Sequence, residues 1–391
     1  MKSYSDVLKK AFDLKDELEK DYRQLHKFAE TGLELPRTIE YCKKRLSDMG
    51  YSTAQTAGGL VTCVGQGDTC MLLRADMDAL PIREESGVEY SSENGNMHAC
   101  GHDMHTAMLL AAARLLKESE RELSLSVKLC FQPGEETLSG AKRMINAGLL
   151  EEPRVDCAVM LHVLTGCEFE TGTVVIPSAG VGASGTDFFS VEIKGEGCHG
   201  STPYMGKDPV SAAVAILQSL SSLVSREVKG GEGDVLTVGS INAGESANVI
   251  PDSAVFCGSL RSYKDENRDH IKERLYEICT LTAAAHRCTA NVSFTAGAPS
   301  FINDTQLREK AKRILEGAKP SPYIVPEGMK GGGSEDFAYV SRLVPSLMLC
   351  LGAGERKKGY TEPLHSKGAR FDTDALPYGT AVLASMALLY V

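Results

Sequence analysis

The spacing of apolar positions changes character near residue 59 of this chain. Before that point Leu8, Phe12, Leu18, Leu25 and Phe28 recur at roughly helical intervals, and Pro36 stands where a second helix would open. The first 50 residues therefore predict two helices. From about Gly59 the pattern becomes short, almost continuous apolar runs at Met71–Leu73, Leu125–Phe131 and Val155–Leu161, with helical stretches at Thr106–Lys117 and Gly140–Leu150 between them. Strands that are apolar on both faces and alternate with helices predict an α/β fold, a largely parallel sheet flanked by helices.

This rhythm stops at Ala179–Gly185, a run of small residues that reads as a hinge or linker. Beyond it the pattern predicts a strand at Asp187–Lys194, a helix at Pro209–Val228, strands at Val235–Ile241 and Ala254–Leu260, a helix at Glu266–His286 and a strand at Cys288–Phe294. The order β-α-β-β-α-β is that of a ferredoxin-like α+β domain. After Ala298 the first rhythm resumes, with a strand near Leu347–Leu351 and a closing helix at Ala375–Tyr390. The expected organisation is one domain in two parts, 1–181 and 296–391, with a second domain inserted over 182–295. Two domains also suit a length of 391 residues. Closure of the two lobes about Ala179–Gly185 and Thr295–Pro299 is expected.

Composition narrows the class. A net charge of −10 without a long basic run argues against nucleic acid or an anionic membrane as partner. The segment Met1–Lys10 is charged and lacks an apolar core, so it does not read as a secretory signal, and no apolar run is long enough to cross a bilayer. Twelve cysteines are scattered, mostly in apolar strand-like runs, as free buried thiols are in a reducing compartment; the expectation is a cytoplasmic protein.

One cysteine departs from that pattern. The stretch His98-Ala-Cys-Gly-His-Asp-Met-His105 places three of the chain's nine histidines beside Cys100. Cys100 and His102 are separated by a single glycine, and thiolate with imidazole is a donor pair suited to a divalent transition metal. Further candidates sit at successive strand ends. Glu135 and Glu136 follow Pro133-Gly134, which breaks the strand so that neighbouring carboxylates can converge. His162 ends the run Val155–Leu161, His365 lies in a loop near the C-terminus, and Asp76 and Asp78 end the run Met71–Leu73, where they can orient ligand histidines. Strand ends and the loops after them are the usual place for sites in open α/β sheets. His26, His270 and His286 receive no role, and Asp103 and His105 are expected to support the site or cap a helix.

The motifs Arg-Ala-Asp-Met-Asp-Ala-Leu-Pro, His-Ala-Cys-Gly-His-Asp-Met-His-Thr, Phe-Gln-Pro-Gly-Glu-Glu, Gly-Ser-Glu-Asp-Phe-Ala and Leu-His-Ser occur in order over essentially the whole chain. Together they resemble the amidohydrolase branch of the aminoacylase/carboxypeptidase metallopeptidase family, which includes hippurate hydrolases, indole-acetyl-amino-acid hydrolases and N-acetyl-diaminopimelate deacetylases. The resemblance implies a zinc-peptidase-like catalytic domain and an inserted lid and dimerisation domain. It implies two divalent ions per subunit held by Cys100, His102, Glu136, His162 and His365, with Glu135 as general base and Asp78 in support. His199, in the loop Gly195-Glu-Gly-Cys-His-Gly-Ser-Thr-Pro203, is similar to a family histidine that binds the oxyanion, usually in the partner subunit's site. Asn248 and Arg261 resemble substrate contacts, the arginine suited to an α-carboxylate, and Gly333 and Ser334 belong to a glycine-lined wall of the substrate cleft. Where the wider family has a metal-binding histidine this chain has Asp76, which leaves the division of ligands between the two ions open.

The expected reaction is hydrolysis of the amide in an N-acyl (acetyl, benzoyl or similar) amino acid. A bound divalent ion can bring the pKa of water from about 15.7 to about 7, and an unligated carboxylate such as Glu135 can carry its proton to the leaving amine. The alternatives are a dipeptidase or carboxypeptidase on unblocked peptides, or a non-catalytic metal-binding protein on a hydrolase scaffold. A thiolate ligand leans towards zinc, while carboxylate and imidazole also admit manganese, cobalt or nickel. A homodimer through the inserted domain is expected from the resemblance.

Overall fold

The computed structural model describes residues 3–230 and 233–390; the first two residues of the Met1–Lys10 segment lie outside them. The chain divides into two compact units. One comprises 1–182, 302–330 and 336–391, and the other Ala183–Phe301 with Gly331–Glu335. The inserted segment expected over 182–295 therefore runs several residues further, because its last strand extends to Ala298.

The first unit is built on an eight-stranded sheet. Its centre is parallel: Ser126–Gln132, Cys70–Asp76, Cys157–Leu164 and Ser346–Gly352 lie side by side with the same direction. The flanks are mixed. Gly59–Val64 pairs antiparallel with Ser126–Gln132, and Val174–Ile176 pairs antiparallel with Ser346–Gly352. The strands Cys70–Asp76 and Ser126–Gln132 are buried at every position, the burial expected of a sheet covered on both faces.

The helix Leu376–Leu388 contains no charged residue and is buried around nearly its whole circumference, and it packs on His102–Glu118, which is buried at fourteen positions. At about 1.5–3 kcal/mol for each fully buried large aliphatic side chain, these two helices and the central strands outweigh any surface interaction in this unit. The N-terminal segment forms three helices rather than two, Tyr4–Asp13, Lys15–Phe28 and Pro36–Asp48. Its first helix breaks at Leu14, where no glycine or proline signals a break. The reason is tertiary: Tyr4–Asp13 packs on Leu376–Leu388 while Lys15–Phe28 packs mainly on His102–Glu118. The helix expected at Gly140–Leu150 ends earlier, at Asn146, and Gly148 beyond it takes a left-handed conformation.

In the second unit the strand order is Val235–Ala243, Ser253–Ser262, Gly185–Lys194, Thr289–Ala298, all antiparallel, with helices Pro209–Glu227 and Asp265–Ala285 packed on it. This is the β-α-β-β-α-β arrangement, and it has its own core of Phe189, Val191, Ile216, Phe256, Ile271 and Leu275 among others. The small-residue run read as a linker is partly extended, with Gly180–Ala183 forming a short strand at the boundary between the units. Without bulky side chains, nothing prevents it from lying in a sheet.

Candidate metal centre

The parallel strands end on one side of the sheet, and their ends deliver the side chains. Cys70–Asp76 leads into Asp78, Ser126–Gln132 into the turn that carries Glu135 and Glu136, and Cys157–Leu164 carries His162 near its end. The helix expected to start at Thr106 starts at His102, capped by Gly101. Cys100 and His102 therefore stand on either side of a helix start. Gly101 has φ 84°, which lets the chain turn between its two neighbours, and a Cβ there would lie 2.4 Å from Val163 Cγ2. His365 comes from a loop, also with a left-handed backbone, and its N–H donates to Ala99 O at 3.0 Å, tying it to the Cys100 segment.

The five expected metal ligands converge. Cys100 Sγ lies 3.5 Å from His162 Nε2 and 3.3 Å from His365 Nε2. Glu136 Oε1 lies 3.3 Å from His365 Nε2 and 3.9 Å from His102 Nε2. Among the described residues five groups of potential ligand atoms are compact enough to hold an ion, and two of them contain Cys100: Cys100 with His102 and His162, and Cys100 with Glu136 and His365. They share the thiolate.

Hydrogen bonds settle which ring nitrogens are available. His102 Nδ1 donates to Asp78 O at 2.8 Å and His162 Nδ1 to Val163 O at 2.7 Å, so Nε2 is the nitrogen each directs at the cluster. His102 Nε2 and Glu136 Oε1 are buried and have no hydrogen-bond partner. Buried polar atoms are seldom left so, and a donor set of one thiolate, one carboxylate and three imidazole nitrogens fits divalent ions such as zinc. His105 is different. It accepts from Val163 N–H at Nε2 (2.9 Å) and donates from Nδ1 to Asp76 (2.5 Å), which leaves it no ligand position; it braces two strand ends.

The electrostatics match this arrangement. Burial alone would push the Cys100 thiol up, but the His162 and His102 rings beside it bring it down to about 6. Burial disfavours charge on His162, and the Cys100 thiolate reverses this and pushes it up to about 9. The Cys100 thiolate and the Glu136 carboxylate beside it push His365 up to about 10. Burial resists ionisation of Glu136, and His365 and His102 hold it below the ordinary carboxylate value. Asp76, although buried, is kept ionised by Arg74, His102 and His105. His105 and His98 are both pulled down to about 4 by burial.

Asp78 acts on the backbone of the carboxylate turn. Its Oδ1 accepts from Glu135 N–H at 3.0 Å and its Oδ2 from Glu136 N–H at 3.1 Å. The Pro133-Gly134 break is thus closed into a turn that presents both carboxylates, as the sequence suggested, with Asp78 bonded to both of their N–H groups. Asp103 does not cap its helix, a place taken by Gly101; it accepts from His26 Nδ1 at 2.6 Å. His26 was given no role from the sequence and is in fact buried, bonded also to Glu84 at 3.0 Å.

The remaining candidates, His199, Asn248, Arg261, Gly333 and Ser334, belong to the second unit. His199 is exposed, its strand pairs with Val249–Ile250, and Gly200 N–H donates to Asn248 O at 2.8 Å, so His199 and Asn248 are neighbours. Ser201 N–H donates to His199 Nδ1 at 3.1 Å, which puts the proton of the neutral ring on Nε2. Arg261 Nη1 donates to Ser334 Oγ at 2.5 Å, and Gly333 O accepts from Ser184 N–H at 3.1 Å.

Residues 72–389 match the family model described as peptidase family M20/M25/M40. The chain is 37% identical over 379 residues to an IAA-amino acid hydrolase (ILR1-like 2) of Arabidopsis thaliana, spanning 94% of this chain and 84% of that protein. It is 34% identical over 393 residues to the hippurate hydrolase of Campylobacter jejuni, spanning 98% and 99%. A solved structure of a dinuclear metal-binding peptidase from Bacillus subtilis superposes with a TM-score of 0.77 at 26% identity, covering 96% of this chain and 98% of that one.

Proposed function

From the premise that the chain belongs to peptidase family M20/M25/M40, we propose that it is a metal-dependent amidohydrolase releasing the amino acid from N-acyl amino acids. The observation that carries this reading is the pair of buried, unpartnered ligand atoms, His102 Nε2 and Glu136 Oε1, beside a carboxylate outside the proposed ligand set, Glu135. Relatives whose names specify indole-acetyl conjugates and hippurate support an acyl or aroyl group on the amine side of an amino acid.

We assign one ion to Cys100, His102 and His162 and the other to Cys100, Glu136 and His365. When bound, such ions polarise the amide carbonyl and acidify water. Zinc is favoured by the thiolate, with manganese next. Glu135 takes the proton of the attacking water and delivers it to the departing nitrogen. Asp78 keeps Glu135 and its neighbour in place through their N–H groups, and its own carbonyl sets the tautomer of His102. His199, whose Nε2–H is free to donate, stabilises the oxyanion, in the partner subunit's site of a homodimer assembled through the second unit. Arg261, steadied by Ser334, forks onto the free α-carboxylate, with Asn248 and Gly333 as further contacts. The setting is cytoplasmic. Among the described residues no helix is long and apolar enough to cross a membrane.

The test is hydrolysis of acetyl-, benzoyl- and indole-acetyl-amino acids against free dipeptides, by protein stripped of metal and reloaded with zinc or manganese. Turnover of the acyl amino acids is expected, falling by about 10²–10⁴-fold in Glu135→Gln with metal content retained. Hydrolysis of dipeptides alone, or a fully active Glu135→Gln, would refute the reading.

A further inference from the structure

Asp336 follows the glycine-rich run 331–333 and is fully buried, yet no part of the mechanism above uses it. Its carboxylate has three strong donors. Oδ1 accepts from Gln132 Nε2 at 2.7 Å and from Arg74 Nη2 at 3.1 Å, and Oδ2 accepts from Ala141 N–H at 2.8 Å. Gln132 is the last residue of its strand and Ala141 lies in the first turn of the next helix. Between them runs the turn that carries Glu135 and Glu136. One carboxylate therefore clamps both ends of that turn, while Asp336 N–H donates to Glu135 Oε1 at 3.3 Å.

The same network reaches the metal ligands. Arg74 is buried, donates to Gln132 Oε1 at 3.0 Å and to Asp76 Oδ2 at 2.7 Å, and Asp76 in turn holds His105 and lies 3.6 Å from His102 Nε2. A buried guanidinium flanked by Asp76 and Asp336 is costly to assemble and cannot be loosened at one partner without depriving a buried donor of its acceptor. Such a network suits a part that must not move. A base that carries a proton between water and a leaving nitrogen needs its carboxylate held to within a fraction of an ångström.

We propose that Asp336 is a positioning residue for Glu135, setting the orientation of the base by clamping the 133–140 turn and by donating its own N–H to the base. This rests on the reading of Glu135 as general base. Asp336→Asn keeps the size of the side chain and an acceptor oxygen but loses one of the two charged acceptors, and it leaves Glu135 itself unchanged. Groups that orient a catalytic side chain typically cost about 10–100-fold when altered, and a kcat loss of that size is expected, with KM within about twofold and metal content intact by elemental analysis. The decisive comparison is Glu135→Gln with and without Asp336→Asn. If Asp336 acts through Glu135, the double variant loses no more than Glu135→Gln alone.

Additive losses, an unchanged kcat, or a loss confined to KM or to bound metal would overturn the proposal. A fully active Glu135→Gln would instead sink the general-base reading, so the two failures are distinct. Should Asp336→Asn not fold, Gln132→Ala removes one arm of the clamp and leaves Arg74 between its two aspartates. A kcat drop that vanishes in the Glu135→Gln background supports the proposal, and an unchanged kcat overturns it.

Discussion

At the scale of single residues, the histidines of this chain divide by their hydrogen bonds rather than by their position in the motif. His102 and His162 spend Nδ1 on backbone carbonyls and turn Nε2 towards the candidate ligand cluster, His105 has both nitrogens engaged, and His26 lies between two carboxylates. His26 also gives a prediction about pH. Burial opposes its charge, but Asp103 and Glu84 overcome this and push it up from 6.5 to about 9. A group raised in the folded state stabilises fully below its unfolded pKa and loses that contribution as pH rises to the folded one. The stability advantage of the protein over His26→Gln should therefore be greatest below pH 6.5 and shrink by on the order of 3 kcal/mol by about pH 9. Urea midpoints of both proteins across that range measure it, and a constant difference would contradict it. None of this was visible in the sequence, where His26 is one more polar position on a charged helix.

At the scale of elements, the recurrent device is a strand end or helix start bent by glycine so that neighbours share a site. Gly134 and Gly101 both have left-handed backbones next to functional residues. Gly101 is the more demanding, since an added Cβ would meet Val163 Cγ2 at 2.4 Å and the Phe371 ring at 2.9 Å. Gly101→Ala should lower stability by at least about 1–3 kcal/mol and reduce bound metal, because Cys100 and His102 can no longer face the same point. Thermal melting with elemental analysis checks it; a variant with normal metal content would show that the turn tolerates a side chain. The spacing Cys-Gly-His was legible in the sequence, and so was the Pro-Gly break before Glu135. The break at Leu14 was not, because it carries no local signal and is set by what packs against the helices on either side of it.

At the scale of the whole molecule, the second unit has its own core and closes on itself, with Thr186 beside Ala298 in its sheet. The segment 183–301 made alone should fold and unfold cooperatively, by circular dichroism against urea; a disordered segment would mean that its fold depends on the rest of the chain. The alternation of strands and helices, the inserted β-α-β-β-α-β order and the ligand-grade residues at strand ends were all determined by the sequence alone, since hydrophobic period and residue chemistry are local properties. Which atoms meet was decided by the tertiary structure. Arg74 and Asp336 stand in two separate motifs of the sequence, and only the fold, bringing together positions 262 residues apart, makes them one buried network. The same holds for Cys100, which belongs to two compact groups of candidate ligand atoms: that grouping depends on distances across strand ends, and sequence spacing carries no information about those.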